Sequence, residues 1–518
     1  MVLGNKATEK VIEIKISVIR CEYQSVVRCL TQSKSDMLGQ LALKSMNIIN
    51  IGETMLMVRN GIFTACIAVL LAPIAAAETL GDIYQSALLN DPVLRAARAS
   101  FNAGKESENI SRAYLLPVVS ATGSYTESEQ DSESARIYFG GQPALSKTFS
   151  DSSQTSYGVS LRQPLFDMPA WYQFQRGKAL SKSASAQFAA DQQSLILRVS
   201  SAYLDALRAF DNNETRKAEQ RAIQRQLEQT KERFEVGLLP ITDVHEAQAV
   251  FDDSAVNTLE ARGALNVAFD GLQVLTGKNH KVLAGLKDSF VAVNPEPLAS
   301  DDWVNFAVRN NFQLKVAKLG KDASYNQAKA ATAELYPTVT FRADYSNSDS
   351  DGTTIAYLQE GDALANTFAK GDGHSFSINL SMPLWSSGIN AGRRQYKQQA
   401  VAADENYEAT KRNTAQSSRG LHQLVLTNAA RVKARKQAIT SANSALGATQ
   451  AGYEVGTRNI VDVLAAQRTV FQAKRNYANA RYDYILAMMR LKEVAGQLSP
   501  DDIYQLDAWL DPSLTVAK

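Results

Sequence analysis

The stretch Phe234-Glu-Val-Gly-Leu-Leu-Pro-Ile-Thr-Asp-Val-His-Glu-Ala-Gln248 returns in altered form as Tyr453-Glu-Val-Gly-Thr-Arg-Asn-Ile-Val-Asp-Val-Leu-Ala-Ala-Gln467. Eight of the 15 paired positions are identical, at a constant offset of 219 residues. The register continues downstream to Gly277 and Gly496. Upstream, Ala113-Tyr-Leu-Leu-Pro117 pairs with Ala333-Glu-Leu-Tyr-Pro337 at an offset of 220, and Gln163-Pro-Leu-Phe166 pairs with Met382-Pro-Leu-Trp385 at 219. A period this long excludes a short-repeat solenoid. The chain carries one architectural half, about 220 residues long, twice.

Within each copy the quoted motif marks a tight turn. Gly237 and Gly456 stand where a helix ends on a left-handed residue, a conformation that costs glycine little. Asp243 and Asp462 then fall near the start of a return helix. Before the turn, Met168 to Val236 has its only proline, Pro169, at the start and is dominated by Ala, Gln, Arg, Glu and Ser. These residues favour or tolerate a helix, here one of roughly 100 Å. Asn390 to Val455 predicts a second of similar length. Large apolar residues are sparse, as in Leu195, Leu197, Val199, Tyr203, Leu204 and Leu207. Such a helix cannot bury much surface alone, which suggests a coiled coil or a similar array. Two helical hairpins are expected, at about 168–276 and 390–496.

Strands precede each hairpin. In Thr338 to Tyr345, Val339, Phe341, Ala343 and Tyr345 alternate with Thr338, Thr340, Arg342 and Asp344. In Ser375 to Met382, Phe376, Ile378, Leu380 and Met382 alternate with Ser and Asn. Period-two alternation assigns each set to one face of a strand. The first half repeats the pattern with Tyr157, Val159 and Leu161, and more weakly with Val119, Ala121 and Tyr125. Strands are expected at about 118–126, 155–163, 338–346 and 374–382. Long polar loops are expected between them, from Glu127 to Thr155 and from Asn347 to His374. Such strands fit a membrane β-barrel or half of a sandwich with one wet face.

Composition narrows the function. The chain has 518 residues with 55 Lys+Arg against 53 Asp+Glu, without the basic excess usual in nucleic-acid binders. Its only cysteines are Cys21, Cys29 and Cys66. The four histidines, His245, His280, His374 and His422, are scattered without ligand spacing. Asp349-Ser-Asp351 lacks the remainder of an EF-hand pattern. No phosphate loop or nucleophile elbow is apparent, so neither catalysis nor a cofactor or metal is expected.

From Gly61 to Ala77 the chain reads GIFTACIAVLLAPIAAA, with Arg59 before it and an A-x-A ending. These are the parts of a secretory signal peptide, and the stretch is short for a membrane helix. It begins deep in the sequence. The simplest explanation is a true start at Met57 or Met55; a genuine cytoplasmic extension is the alternative. The expected division is an extension over 1–56, a signal peptide over 57–77, a first repeat over 78–278, a linking segment over 279–300, a second repeat over 301–497, and a tail over 498–518. Pro295 and Pro297 lie in the linking segment.

One constraint then sets the oligomer. Four strands of about ten residues are each long enough to cross a membrane, but a closed barrel needs at least about eight. An open edge in lipid leaves N–H and C=O groups unpaired. Several chains must therefore close one barrel, two giving eight strands and three giving twelve.

The two turn motifs, the Pro-Leu-Phe/Trp strand-to-helix junctions at Pro164, Phe166, Pro383 and Trp385, and the opening Leu80-Gly-Asp-Ile-Tyr-Gln-Ser-Ala-Leu-Leu-Asn-Asp-Pro92 resemble the TolC family of outer-membrane channels over nearly all of Glu78 to Gln497. The resemblance implies a membrane α+β fold: a homotrimeric, twelve-stranded β-barrel in the outer membrane on a long periplasmic α-helical barrel of coiled-coil hairpins. It also implies docking onto a periplasmic adaptor and an inner-membrane ABC or proton-driven transporter. The chain would then be a passive exit duct for type I protein secretion, multidrug efflux or both. A periplasmic coiled-coil scaffold or adaptor without a membrane barrel is the alternative.

Such a duct closes at its periplasmic tips. By the resemblance, Tyr453 and Arg458 of the second hairpin face Thr242 and Asp243 of the first. An Arg–carboxylate pair with a Tyr hydroxyl is directional yet weak enough to break on docking. Gln226 and Gln450 occupy another linking position in the family. Asp462 would form a ring of carboxylates that favours cations. The family pattern has a second acid one turn later, where this chain has Ala465, so its tip should be less negative. Alternatively, Asp243 and Asp462 only cap or charge-stabilise helix N-termini.

Overall fold

The computed structural model describes residues 77–518 apart from 138–142 and 359–360, and apart from the side chains of 134–146 and 356–363. The extension and signal peptide expected over 1–77 lie outside the described residues, except for Ala77. The order of elements is α1 (Leu80–Asn90), α2 (Pro92–Ala113), β1 (Val118–Ile137), β2 (Pro143–Phe166), α3 (Met168–Glu235), α4 (Ile241–Thr276), β3 (Val282–Leu286), α5 (Ser300–Asn310), α6 (Phe312–Ala333), β4 (Thr338–Leu358), β5 (Gly361–Ser381), α7 (Ser387–Glu454), α8 (Ile460–Val494), α9 (Pro500–Asp507) and β6 (Leu510–Ala517).

The duplication is carried by helix ends. Asp91 precedes Pro92 and caps α2 by accepting from the Leu94 N–H at 2.9 Å. Asn311 caps α6 at the matching place, accepting from Leu314 N–H at 2.8 Å. Asp167 caps α3 and Ser386 caps α7, each just past its Pro-Leu-aromatic junction. Such caps satisfy N–H groups that a helix start leaves open. Both long helices have 68 residues and end on the expected glycine, Gly237 at φ 77° and Gly456 at φ 78°. The N–H groups of Gly237 and Leu238 bond back to the carbonyls of Phe234 and Arg233, and those of Gly456 and Thr457 to Tyr453 and Gly452. This double bond-back closes each helix and reverses the chain.

The strands form one antiparallel sheet in the order β1-β2-β4-β5. They are far longer than the sequence suggests, at 20, 24, 21 and 21 residues. The polar segments expected as loops, Glu127–Thr155 and Asn347–His374, are mostly paired strand. Pairing runs from Val118↔Arg162 to Ile137↔Pro143 and from Thr338↔Ser381 to Leu358↔Gly361. The apolar alternation fades there because that part of the sheet buries neither face, while its backbone ladder still closes. Register divides the two faces. One carries rows such as Val119, Leu161, Ala343 and Phe376, followed by Ala121, Val159, Tyr345 and His374. The other carries rows such as Ser124, Ser156, Ser348 and Gly371. Ser120–Ser160, Ser124–Ser156 and Ser128–Ser152 hydroxyl pairs at 2.7, 2.8 and 2.9 Å line this small polar face. At the sheet's base the β2–β4 register slips between Pro164 and Phe166. A proline, having no N–H to give a ladder, is tolerated at such a bulge.

The linking segment and the tail are also more ordered than expected. Val282–Leu286 forms β3 and pairs with β6 from the tail, while Glu78 bridges to Leu283 on the other side. Five residues without alternation, paired with a strand at the far end of the chain, leave no local signal. The main core gathers around this small sheet. Tyr203 is fully buried there and its hydroxyl donates to the Ala284 carbonyl at 2.7 Å. Leu195, Val199, Tyr203 and Leu207 of α3 recur every four residues on the buried stripe.

Where α3 leaves the sheet it lies very close to α2. A Cβ on Gly177 would collide with Ser111 Oγ and the Ser107 carbonyl, whereas one on Gly263 meets open space. Gly177→Ala should therefore lower stability by about 1–3 kcal/mol, and Gly263→Ala should raise it by about 0.5–1 kcal/mol. Thermal midpoints of the purified variants check the opposite signs. At Asp91, burial alone would raise the carboxyl's pKa, but the Arg198 guanidinium at 2.7 Å and the Leu94 N–H hold it below the ordinary range. The native state thus favours the ionised form. Its stabilisation is complete at neutral pH and is lost as pH falls below about 4; Asp91→Asn should flatten the acid limb of a stability–pH curve.

Candidate functional site

The two turns end the hairpins, and the side chains around them decide how firmly the hairpins adhere. A small apolar knot lies a few turns back, made of Ile223 and Leu227 from α3, Ala247 from α4, and Ile460 and Leu464 from α8, with Val250, Phe251 and Tyr453 packed against it. It is far smaller than the main core, which has 39 buried residues against five. Hydrophobic stabilisation scales with buried apolar area, so the hairpins are held loosely near their ends and firmly near the small sheet.

The residues singled out from the sequence distribute as follows. Tyr453 lies against the knot with the Arg233 guanidinium 5.1 Å from its ring centroid, and its hydroxyl has no hydrogen-bond partner among the described residues. Arg458, in the turn just before α8, pairs with Asp462 in the first turn of that helix, at 3.7 Å, with side chains 62% and 40% exposed. An exposed pair of this kind contributes little. Thr242 is exposed and its hydroxyl donates to Asp243 at 3.4 Å. The links expected from Tyr453 and Arg458 to Thr242 and Asp243 are therefore not formed within one chain. The nearer acid for Arg458 is in its own hairpin. Gln226 is half-buried and Gln450 exposed, and the two side chains share no hydrogen bond with each other. Asp243 and Asp462 occupy the first turns of α4 and α8, but neither is the capping residue. Asn459 caps α8 by accepting from Asp462 N–H at 2.8 Å, and α4 starts at Pro240 without a side-chain cap. Their remaining local role is to oppose the positive helix N-terminus. Ala465, one turn past Asp462, is exposed.

Sequence reasoning missed the strongest polar link between the hairpins. Arg475 of α8 and Glu219 of α3 are both almost fully buried and meet at 2.6 Å. Arg216 also reaches Glu219, at 3.2 Å, and Gln472 accepts from Arg475 at 2.8 Å. Burial pulls the Arg475 guanidinium below its ordinary range, against the opposing pull of Glu219. Nearby, Arg468 of α8 and Asp253 of α4 pair at 2.9 Å on the surface. These residues border a polar cleft of about 380 Å³. Each looks like an ordinary polar helix residue in sequence. The pairs become visible only when helices more than 200 residues apart are laid together.

Nothing about these groups resembles a catalytic arrangement. Buried His280 bonds Glu78 through Nδ1 at 2.5 Å and Thr276 through Nε2 at 2.6 Å, an acid–imidazole–hydroxyl chain, but Thr276 is itself buried and its hydroxyl also donates to the Leu272 carbonyl. The hydroxyl is closed to substrate, so the cluster braces the small sheet. His422 is buried, and His245 and His374 are exposed. Among the described residues there is no acid or histidine group suited to a metal ion, and no helix is long and apolar enough to cross a membrane. A concavity of about 680 Å³ lies at the strand-to-helix junction rather than at the tips.

A two-faced β-sheet on paired 68-residue helices, repeated within one chain, defines the class of outer-membrane channel subunits with a helical extension. The chain belongs to the outer membrane efflux protein family, which matches residues 83–278 and 303–497. It is 35% identical to the outer membrane protein TolC of Vibrio cholerae serotype O1, over 84% of this chain and 94% of that one. It is 32% identical to TolC of Escherichia coli K12, over 84% and 85% of the two chains. The alkaline protease secretion protein AprF of Pseudomonas aeruginosa is 28% identical over 83% of this chain and 86% of its own. In fold, the chain matches the outer membrane protein VceC of Vibrio cholerae with a TM-score of 0.62 at 17% identity, covering 80% and 96% of the two chains. The Campylobacter jejuni CmeC outer membrane channel gives 0.63 at 16%, covering 90% and 98%.

The buried pair makes a sharp prediction. Arg475→Ala leaves Glu219 charged and unpaired and should cost about 3–5 kcal/mol. The double variant Arg475→Met with Glu219→Leu should recover most of that loss, because apolar groups of similar size replace a buried pair at little cost. Denaturation midpoints of single and double variants measure the coupling.

Proposed function

We propose that this protein is the outer-membrane exit duct of a tripartite export system, a passive channel that opens at its periplasmic tips when an adaptor and an inner-membrane transporter dock. The observation that carries the proposal is the sheet. Near its base it has an apolar face and a small polar face, and among the described residues its edges, β1 and β5, are unpaired. In lipid those edges are tenable only if β5 of one copy pairs with β1 of the next. The antiparallel order permits this pairing without changing the alternation of strand directions around a closed ring. Three copies supply twelve strands, the number implied by the resemblance to the TolC family. The outward face then meets lipid and the Ser/Thr/Gly face lines the lumen. The helices support the same reading. Helix α7 buries only seven of its 68 residues within the chain, so neighbouring copies have most of its surface to cover.

The tips are the gate of this duct. Among the described residues the Tyr453 hydroxyl is buried without a hydrogen-bond partner, so it bonds a neighbouring copy only when the tip rearranges, and Arg458 can exchange Asp462 for Asp243 and Thr242 of that copy. Gln226 and Gln450, which share no hydrogen bond within the chain, are proposed as a second link between copies. Asp462 supplies one carboxylate per copy to the constriction, and Ala465 adds none. Relatives that bear protein-secretion names and relatives that bear efflux names stand on either side of this chain, so the cargo is assigned by the transporter.

Incorporation of purified protein into planar bilayers tests the reading. Steady ion conductance, together with extraction that requires detergent, is the expected result. Release by osmotic shock as a non-conducting protein would favour a periplasmic scaffold instead. In conducting channels, Arg458→Ala combined with Tyr453→Phe should raise single-channel conductance, and an unchanged value would remove the latch. Asp462→Ala should lower cation preference and weaken block by trivalent cations.

A further inference from the structure

We propose that the barrel is divided along its height into a lipid belt and a hydrophilic collar that stands outside the membrane, with the boundary running through Tyr125, Tyr157 and Tyr345. The proposal rests on the barrel reading above. It begins with a length mismatch. A strand needs about 9–11 residues to cross a bilayer, and these strands have 20 to 24.

Two rims of aromatic residues fix which part is in lipid. At the base, next to the helices, Phe166 is 45% and Trp385 79% exposed. Nine residues up β2 from Phe166, Tyr157 is 55% exposed, and nine residues before Trp385 in the chain, Phe376 on β5 is 72% exposed. Nine residues span about 30 Å along a strand. At a tilt near 40° that is about 23 Å of height on β2, close to the ~25 Å apolar band found between aromatic girdles. Between the rims the outward face is aliphatic and aromatic apart from Gln163.

Above the upper rim the same face changes character. Glu127, Glu129, Asp131 and Glu133 follow one another at every second position of β1, so all four share the face that lower down carries Val119 and Ala121. Asp151 lies opposite Glu129, and Asp351 lies opposite Ser153 in the row of Glu127. Immersing such a row in hydrocarbon would cost energy at every carboxylate. Phe368 shares the row of Glu127, and among the described side chains one narrower apolar row returns above it, where Phe149, Ile355 and Leu364 align with Asp131. That row, cut off from the belt by the acidic ones and followed by the Glu133 and Lys147 row, is too short to hold a bilayer. From Tyr157, β2 continues for about 14 residues to Pro143, which is roughly 35 Å of height at the same tilt. The luminal face stays Ser/Thr/Gly-rich throughout. The exit mouth therefore opens well beyond the hydrocarbon, and its outer wall presents negative charge to the polar headgroup and sugar zone.

Single-cysteine variants in intact cells test this. The parent carries Cys21, Cys29 and Cys66 replaced by serine, which leaves no other thiol in the chain. Glu129→Cys and Asp351→Cys report on the collar, and Val159→Cys and Ile378→Cys on the belt. A small, membrane-impermeant maleimide should label both collar positions in cells as fast as after denaturation. The belt positions should react at least about tenfold more slowly in cells than after denaturation, because hydrocarbon excludes the charged reagent. Protection of the collar positions to the same degree as the belt would overturn the collar and leave the barrel standing. Rapid labelling at all four positions would overturn the barrel reading, and the collar with it.

Discussion

An unpaired backbone amide in hydrocarbon is the constraint on which the rest of this structure depends. Four strands with free edges at β1 and β5 are unremarkable in water and untenable in lipid. Near its base the same sheet has an apolar face, and on the proposed reading that part lies in the membrane and is not there alone. On that reading oligomerisation follows from the sheet and is not an added property of the helices. The helices are consistent with it. Their Ala- and Ser-rich surfaces bury little within one chain and need only close neighbours, which a ring of copies provides.

The internal duplication extends the same logic. Each half brings one β-hairpin to the sheet and one helical hairpin to the extension, so every copy adds matching increments to barrel and tube. Matching caps, Asp91 with Asn311 and Asp167 with Ser386, start corresponding helices in both halves. The halves diverge where their tasks differ. In the second half Arg458 in the turn and Asp462, Arg468 and Arg475 on α8 are the groups that face the first hairpin or the tip.

Much of this was legible in the sequence, for identifiable reasons. Glycines at turns and long runs free of breakers are local signals, and Gly237, Gly456 and both 68-residue helices appear where those signals put them. The apolar belt was legible through its period of two. The upper strands were not, because Ser, Asp and Gly on both faces read as loop when neither face is buried. Strand β3 was missed because its partners, β6 and Glu78, lie at opposite ends of the chain. The tip links were expected only through resemblance, and within one chain Arg458 meets Asp462 instead. The Arg475–Glu219 pair was invisible because the value of each charge depends on the other.

On the proposed reading, the distribution of stabilisation along the hairpins accounts for a duct that is rigid near the small sheet and able to open at its tips. Near the small sheet the helices share a large continuous core, braced by Tyr203 and by the His280–Glu78 bridge. Farther out, one buried ion pair joins α3 to α8. Beyond that the five-residue knot, a few further buried side chains such as Val244, Val463 and Val470, and exposed pairs such as Arg458–Asp462 hold the hairpins. A buried charge pair resists separation far more than an exposed one, since parting it strands two desolvated charges. Motion driven by a docking partner should therefore stop near Glu219 and Arg475. The segment free to swing is the last part of the second hairpin, from that pair to Gly456. At 1.5 Å per residue this is a lever of roughly 25 Å, long enough to clear a central opening without disturbing the core above it.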